Sequence, residues 1–204
     1  ILCGLGFYDD YMKVTKSSAG GAKSHVKLWV QFALALFAAF YLWQLPATSE
    51  LRLPQHKTAI VSNLVSTVML PFYKYPIHAG VVVGLLLIAF AIVGSSNAVN
   101  LTDGLDGLAI GCTLIVSLVF LVLTYVSGHA EISKYLQVPH VIGAGELTVF
   151  CAAMMGAGMG FLWFNCHPAQ MFMGDTGSLA LGGALGIVAV LIHQPFVLVI
   201  AGGV

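Results

Sequence analysis

Carboxylate side chains that could bind a cation occur at three separate places in this sequence. Asp9 and Asp10 are neighbours, Asp103 and Asp106 are three residues apart, and Asp175 stands alone. Magnesium in proteins is usually held by one or two carboxylates together with the phosphate oxygens of a substrate. Clustered carboxylates repel each other, so a cation is expected wherever the fold brings them together. The residue types therefore indicate metal-assisted phosphoryl transfer.

The first motif, GFYDDYMK, covers residues 6–13. Neighbouring residues on a helix point about 100° apart, so Asp9 and Asp10 are expected to do different jobs. One would accept a proton or steer Mg²⁺, while the other holds Lys13. A solvated helix end with local Asp–Lys pairing explains this motif equally well when it is taken alone.

The second motif, NAVNLTDGLDGLA, covers residues 97–109. Asp103 and Asp106 would share a face if this segment were helical, and the motif opens an apolar segment whose first N–H groups favour an anion such as a pyrophosphate. Asn97 and Asn100 offer amides for phosphate, sugar or base. A helix cap explains one Asp or Asn but not four, so a functional interpretation is favoured.

The third motif lies between residues 164 and 178 and contains Phe172, Gly174 and Asp175. Gly174 permits a ligand to approach the backbone closely, and Phe172 offers a flat face on which a base could stack. Asp175 alone would also fit as the cap of the next helix. A single loop histidine such as His167 is more often structural, and we assign it no role.

The elements that position these residues are predicted to be membrane helices. Of 204 residues, 59% are apolar and only 8% are charged, and the mean hydropathy is +0.95, whereas soluble domains carry about 25% charged residues. The apolar runs suit helices of about 20 residues and lack the alternation of a barrel. We predict an all-α polytopic bundle with crossings near 27–45, 77–96, 107–127, 146–164 and 176–194. The formal net charge of zero gives no indication of nucleic-acid binding.

The loops between these crossings distribute the acidic residues unevenly. Loops are expected at 9–26, 46–76, 97–106, 128–145 and 165–175, and the segment 46–76 would hold a short hairpin or an interfacial helix. All five aspartates fall in the first, third and fifth loops, which share one side of the membrane, while the three glutamates lie on or near the other. Carboxylates beside a bilayer tend to mark function. The lysines of the first loop, Lys13, Lys16, Lys23 and Lys27, favour the cytoplasm for that side.

The whole chain, 1–204, is interpreted as a single transmembrane transferase domain truncated at both ends. It begins and stops inside apolar runs, at Ile1 and Val204, and partial crossings are expected there.

These motifs resemble those of the polyprenyl-phosphate N-acetylhexosamine-1-phosphate transferase superfamily. The matching segments are GFYDDYMK at 6–13, NAVNLTDGLDGLA at 97–109 and FNCHPAQMFMGDTGSLALG at 164–182, in the order in which the superfamily has them. The pieces DDYMK and PAQMFMGDTGS look more like its muramoyl-pentapeptide branch. The superfamily's N-terminal spans and its histidine-rich motif have no counterpart here, so we expect the fragment alone to be inactive.

The resemblance implies a reaction and its partners. Phospho-N-acetylmuramoyl-pentapeptide would pass from its UDP-sugar to undecaprenyl phosphate with Mg²⁺, releasing UMP and making the first lipid intermediate of peptidoglycan. This places the protein in bacterial cell-wall synthesis, with roles in cell shape and division. It would be a multi-pass protein of the cytoplasmic (inner) membrane, with its active site on the cytoplasmic face, and a homodimer is compatible with the resemblance.

The resemblance also implies roles for individual residues. Asp9 and Asp10 would be the paired catalytic aspartates, one of them the base for the lipid phosphate. Asp175 would bind magnesium together with Asn97, and it has also been proposed as a nucleophile. The substrate-binding residues would be Lys13, Asn97, Asn100, Asp103, Asp106, Phe172 and Gly174, with Phe172 stacking on uracil. Sequence leaves open whether transfer is direct or passes through a phospho-enzyme, although direct attack needs fewer assumptions.

Three other interpretations remain. A sister enzyme that uses UDP-N-acetylglucosamine would share the chemistry. A transporter would bind its ligand through midplane carboxylates, but the aspartates here are expected at helix ends and no repeat relates the halves. A purely structural membrane protein leaves the clustered aspartates unexplained.

Overall fold

Helices built from the long apolar runs make up most of the protein. The computed structural model describes residues 1–15, 24–44, 50–52, 58–60, 65–71, 73, 77–136 and 138–202. The helices of this part are α1 (Leu2–Thr15), α2 (Ser24–Gln44), α3 (Val81–Thr102), α4 (Leu108–Gly128), α5 (Ala130–Leu136), α6 (Ala144–Asn165), α7 (Gly174–Leu191) and α8 (Pro195–Ala201).

Five of these helices, α2, α3, α4, α6 and α7, are long and apolar enough to cross a membrane. Large apolar side chains such as Trp163 and Phe37 point away from the protein and are 82% and 65% exposed. A helix that is apolar on all sides can face lipid on one side and pack against other helices on the other side. The prediction of an all-α polytopic bundle with five full crossings is confirmed.

Two predicted boundaries are wrong, and both errors concern polar residues near helix ends. Helix α3 continues to Thr102, so Asn97 and Asn100 are helical rather than part of a loop. Helix α1 continues to Thr15, so Asp9, Asp10 and Lys13 are helical as well. Hydropathy ends a span at its last apolar residue, whereas the backbone hydrogen bonds of a helix continue into the polar headgroup region.

The segment between α2 and α3 contains two short hairpins. Strands β1 (Glu50–Arg52) and β2 (Thr58–Ile60) pair antiparallel, as do β3 (Thr67–Val68) and β4 (Ile77–His78). Of the two structures expected for 46–76, the hairpin is confirmed for the described residues. The lysines at 16 and 23, which favoured the cytoplasm for the first loop, lie outside the described residues.

Helix α7 is the centre of the bundle. It packs against α1, α3, α4 and α8, and half of its residues are buried inside the protein. One apolar cluster joins α4, α6, α7 and α8 around Phe120 and Leu185. A second cluster joins α2 and α3 around Ala39 and Ala89 and reaches Val190 of α7. Helix α7 is therefore held by neighbours on several sides.

Helices α3 and α7 cross at backbone contact because glycines line their interface. A Cβ at Gly182 would overlap the Ser95 carbonyl oxygen, and one at Gly186 would lie 2.9 Å from the Ile92 Cα. Nearby, the buried Ser96 hydroxyl donates to the Leu179 carbonyl at 3.0 Å. Small residues and an interhelical hydrogen bond commonly hold helices together in lipid. Lipid tails are as apolar as the helix surfaces, so the hydrophobic effect does not drive the helices together there.

This crossing predicts opposite effects for two Gly-to-Ala changes. Gly182→Ala places a methyl group against the α3 backbone and should cost about 1–3 kcal/mol through overpacking. At Gly156 of α6 an added Cβ meets no atom within 4 Å, so Gly156→Ala should be neutral or slightly stabilising. Thermal unfolding of the intact protein in detergent measures both. Equal stability of the two variants would contradict the crossing.

Candidate functional site

Three carboxylates meet where α1 passes the first turn of α7. Asp9, Asp10 and Asp175 each offer an oxygen atom within 4.8 Å of the others. Asp9 is 1% exposed, while the other two are half-buried. Residues separated by more than 160 positions thus form one acidic cluster, which we call the aspartate cluster.

Two lysines supply the opposing charge. The Lys13 ammonium lies 2.7 Å from Asp9 Oδ2, 3.1 Å from Asp175 Oδ2 and 3.5 Å from Asp10 Oδ1. Partial burial opposes the charging of Lys13, but hydrogen bonds to Asp9 and Asp175 outweigh it and raise its pKa above the ordinary value. Lys27, from the first turn of α2, lies 2.9 Å from Asp9 Oδ2 and 2.6 Å from Asp175 Oδ2. Both lysines therefore remain charged and bridge α1, α2 and α7.

Asp10 caps helix α7 from a different helix. Its Oδ2 accepts hydrogen bonds from the Thr176 N–H at 3.0 Å and the Thr176 hydroxyl at 2.8 Å. The Asp175 N–H points at its Oδ1 from 3.4 Å. The interpretation of Asp175 as a cap is wrong, because Asp175 is the second residue of α7 and its carboxylate faces the lysines and Asn100. Asp10 satisfies the exposed N–H groups instead.

Glycines make this contact between α1 and α7 sterically feasible. A Cβ at Gly6 would overlap the Asp175 carbonyl. Gly174 has a φ of 64°, in the region that disfavours other residues, and a Cβ there would lie 2.9 Å from Asp10 Oδ2. The described contact of Gly174 is thus with Asp10, and its predicted contact with substrate stays a prediction.

The two asparagines of α3 have different partners. The Asn100 amide donates to Asp175 Oδ1 and to the Ser178 hydroxyl, both at 2.9 Å. One turn earlier, the Asn97 amide donates to Gln31 Oε1 at 2.6 Å and to the Val93 carbonyl at 2.8 Å. Asn100 therefore orients the Asp175 carboxylate directly. The assignment of Asn97 as a metal ligand stays a prediction.

Asp103 and Asp106 lie in the non-helical turn between α3 and α4, so the condition under which they would share a helical face is not met. Partial burial, and then the negative charges of Asp175 and Asp10, raise the pKa of the Asp103 carboxyl above its ordinary value. Asp103 is thus an electrostatic neighbour of the aspartate cluster. Its substrate role remains a prediction.

Asp106 contacts the loop between α6 and α7. Its Oδ2 lies 3.1 Å from His167 Nδ1 and accepts the Ala169 N–H at 3.1 Å. On the same turn, the Gly107 N–H donates to the buried Asn165 side chain at 3.0 Å, whose amide in turn donates to the Met171 carbonyl at 2.7 Å. These bonds connect the α3–α4 turn to the loop that carries Phe172. Phe172 is 76% exposed, and its stacking on uracil stays a prediction.

Sequence reasoning missed several residues that hold the site together. Lys27 was used only to predict which side of the membrane is cytoplasmic, and Asn165 was assigned no role. A usable signal for Lys27 was present, because Lys27 and Gln31 stand one turn apart at the start of an otherwise apolar helix. Thr176 and Ser178 follow Asp175 as ordinary helix-start residues, and nothing in the sequence pairs them with Asp10 or Asn100.

The aspartate cluster has the donor chemistry of a site for a hard divalent cation. Such cations prefer carboxylate oxygens, and Mg²⁺ takes one or two carboxylates and leaves its other positions for water and phosphate. The cluster supplies three carboxylate oxygens within 4.8 Å of one another, one from the first turn of α7 and two from α1. The residues therefore fit a metal ion of this class.

Comparison with known proteins identifies the family. The chain matches the family model described as glycosyl transferase family 4 over residues 1–193. It belongs to that family. The family model covers both sides of the aspartate cluster and the turns that carry Asp103, Asp106 and Phe172.

Two curated relatives make the likeness closer. The chain is 48% identical over 202 residues to a phospho-N-acetylmuramoyl-pentapeptide-transferase of Opitutus terrae, covering 98% of this chain and 51% of the relative. It is 48% identical over 204 residues to the enzyme of the same name from Methylacidiphilum infernorum, covering 98% and 52%. The chain spans about half the length of these relatives. The resemblance inferred from the three motifs is confirmed.

The capping contact predicts a difference between two variants of Asp10. Asp10→Ala removes the acceptor for Thr176 and should cost about 1 kcal/mol or more of stability. Asp10→Asn loses the same charge but keeps an acceptor oxygen, so it should unfold at a higher temperature than the alanine variant. Thermal unfolding of the intact protein in detergent checks this. If the alanine variant proved as stable as the asparagine variant, the cap would contribute nothing.

The raised pKa of Asp103 predicts a pH-dependent gain in stability for Asp103→Asn. Because the folded-state pKa lies above the ordinary value, the ionised form costs stability, and the cost develops as pH rises through the folded-state pKa. The variant should be more stable than the wild type at neutral pH, by less than about 1 kcal/mol at this partly exposed site. The difference should vanish at low pH.

Unfolding temperatures of both proteins, measured from neutral to acidic pH, check this. The matched control is Glu131→Gln, on the exposed surface of α5 at the other end of the bundle, and it should show no such trend. A constant difference across the pH range would mean that Asp103 is not destabilised by its neighbours.

Proposed function

We propose that the intact protein transfers phospho-N-acetylmuramoyl-pentapeptide from its UDP-sugar to undecaprenyl phosphate, with Mg²⁺, and releases UMP. The observation that carries this proposal is the aspartate cluster, with two lysines, at one end of a membrane-helix bundle. The two curated relatives bear the name of this transferase. The reaction would make a lipid-linked sugar diphosphate at the bacterial cytoplasmic membrane, in peptidoglycan synthesis.

The position of the cluster suits a reaction between a soluble and a lipid-borne substrate. Asp175 lies in the first turn of α7, Asp103 lies in the turn between α3 and α4, and Asp10 caps α7 from α1. At this end of the bundle a membrane lipid's phosphate and a water-soluble nucleotide could both reach them. The lysines near α1 and the start of α2 favour the cytoplasmic face for this end, which is where UDP-sugars are made available. A homodimer remains compatible with this arrangement.

The metal would be held by Asp175 and Asp9, with Asn97 as a further candidate ligand. When bound, Mg²⁺ neutralises charge on the diphosphate and polarises the phosphorus for attack. Asn100 and the two lysines orient the Asp175 carboxylate, and Asp10 fixes the first turn of α7 that carries it. Exposed Phe172 on the adjoining loop would stack on uracil, and Asp103 and Asp106 would line the nucleotide-sugar side.

We favour direct transfer over a phospho-enzyme intermediate. Both oxygens of Asp175 are engaged, Oδ1 by Asn100 and Oδ2 by Lys13 and Lys27, which makes this carboxylate a poor nucleophile. The acceptor phosphate is itself nucleophilic, since a phosphate monoester loses its second proton at about pH 6. One of the paired aspartates, Asp9 or Asp10, would take the remaining proton from the lipid phosphate when that group arrives protonated.

Release of UMP by the intact protein in detergent tests the function. The assay contains undecaprenyl phosphate and either UDP-N-acetylmuramoyl-pentapeptide or UDP-N-acetylglucosamine, with and without Mg²⁺. We expect Mg²⁺-dependent release with the muramoyl donor alone. Release with UDP-N-acetylglucosamine instead would move the protein to the sister branch, and no release with either donor would favour the transporter interpretation.

A matched pair of variants connects the activity to the cluster. Asp175→Asn should lower kcat by about 100-fold or more, because it removes the carboxylate charge that would hold the metal beside the reacting phosphates. Glu146→Gln changes an exposed carboxylate in the first turn of α6, at the opposite end of the bundle, and should leave kcat unchanged. Undiminished turnover in a folded Asp175→Asn protein would refute the site.

A further inference from the structure

Lys27 occupies a central position in the aspartate cluster. It comes from α2, whereas the carboxylates come from α1 and α7, and its side chain is only 19% exposed. Its ammonium lies 2.9 Å from Asp9 Oδ2 and 2.6 Å from Asp175 Oδ2. These are two of the three carboxylates that are close enough to share one cation.

The Lys27 ammonium and a divalent metal ion would bind the same oxygen lone pairs of Asp9 and Asp175. An oxygen that accepts a short hydrogen bond from an ammonium offers less negative charge to a metal. Two positive charges held by the same pair of carboxylates also repel each other, and the repulsion is strong where water is scarce. Binding of a cation between Asp9 and Asp175 therefore has to move the Lys27 ammonium or weaken its bonds.

Lys13 is less suited to this role than Lys27. It is 42% exposed and lies on the same helix as Asp9 and Asp10. When a cation approaches, its ammonium can turn towards Asp10 or water while the helix stays in place. Lys27 donates hydrogen bonds to Asp9 and Asp175, so its ammonium cannot move away from the cluster without losing both ion pairs.

We propose that Lys27 is an internal cation that competes with the divalent metal for Asp9 and Asp175 and thereby sets the metal affinity of the site. This inference rests on the proposed function, because it concerns the metal of the same cluster. A tethered ammonium keeps the carboxylates compensated and admits only a cation that binds strongly enough to displace it. Lys27 is thus a specificity-determining residue that acts against metal binding rather than for it.

The test measures Mn²⁺ binding to the intact protein in detergent by the electron paramagnetic resonance signal of free Mn²⁺. Lys27→Met keeps the length and apolar stem of the side chain but removes the charge, and should tighten Mn²⁺ binding by about tenfold, a coupling usual for groups in contact. Lys27→Gln should act in the same direction. Lys27→Arg keeps the charge and should stay within about twofold of the wild type.

Controls separate this inference from the metal site itself. Lys134→Met removes an exposed lysine of α5 at the other end of the bundle and should leave the Mn²⁺ affinity unchanged. Size-exclusion chromatography shows which of the variants Lys27→Met and Lys27→Gln is folded. One folded variant is enough for the test. Unchanged or weaker Mn²⁺ binding in that variant would overturn the competition. Absence of saturable binding in the wild type would refute the metal site and the competition together.

Discussion

The hydrogen bonds from the first turn of α7 to Asp10 of α1 are the contact on which the site depends. Without that acceptor the N–H groups of Asp175 and Thr176 in the first turn of α7 would lose the carboxylate that caps them. With it, Asp175 is placed beside Asp9, and the lysines of α1 and α2 reach both. Gly6 and Gly174 are required at this point because the two backbones come too close for a side chain.

Charge compensation is the second constraint on the same region. Three carboxylates, one of them buried, would repel each other strongly if they stood alone. Lys13 and Lys27 offset part of this charge and at the same time connect three helices. The arrangement leaves the cluster acidic, which suits a cation, yet it also places two ammonium groups beside the phosphates that the cation would bring. The stability of the fold and the chemistry of the site therefore depend on the same ion pairs between the lysines and the aspartates.

Much of this could be predicted from the sequence because it depends on local composition. The apolar runs predicted the five crossings, and counting loops by parity placed the aspartates at one end of the bundle. The motifs contain the three aspartates that meet in the structure and the asparagine that contacts one of them. Helix ends were harder to predict, since hydropathy does not report how far α1 and α3 continue beyond the apolar core. Asn97 and Asn100 were for this reason assigned to a loop although they stand on consecutive turns of α3.

The partners of individual side chains could not be predicted. That Asp10 caps α7, that Asn100 rather than Asn97 contacts Asp175, and that Lys27 bridges Asp9 and Asp175 all depend on how distant helices pack. Sequence spacing describes one helix at a time and carries no information on these distances. The predicted cap at Asp175 shows the difficulty, because the residue type was right for a cap and the actual cap came from another helix.

The central claim is that Asp9 and Asp175 hold a divalent cation between α1 and α7. Anomalous diffraction from crystals of the intact protein grown with Mn²⁺ tests it most directly. The account predicts a single strong peak about 2.0–2.5 Å from carboxylate oxygens of both residues. A peak beside Asp103 and Asp106 alone, or none at the cluster under saturating Mn²⁺, would contradict it.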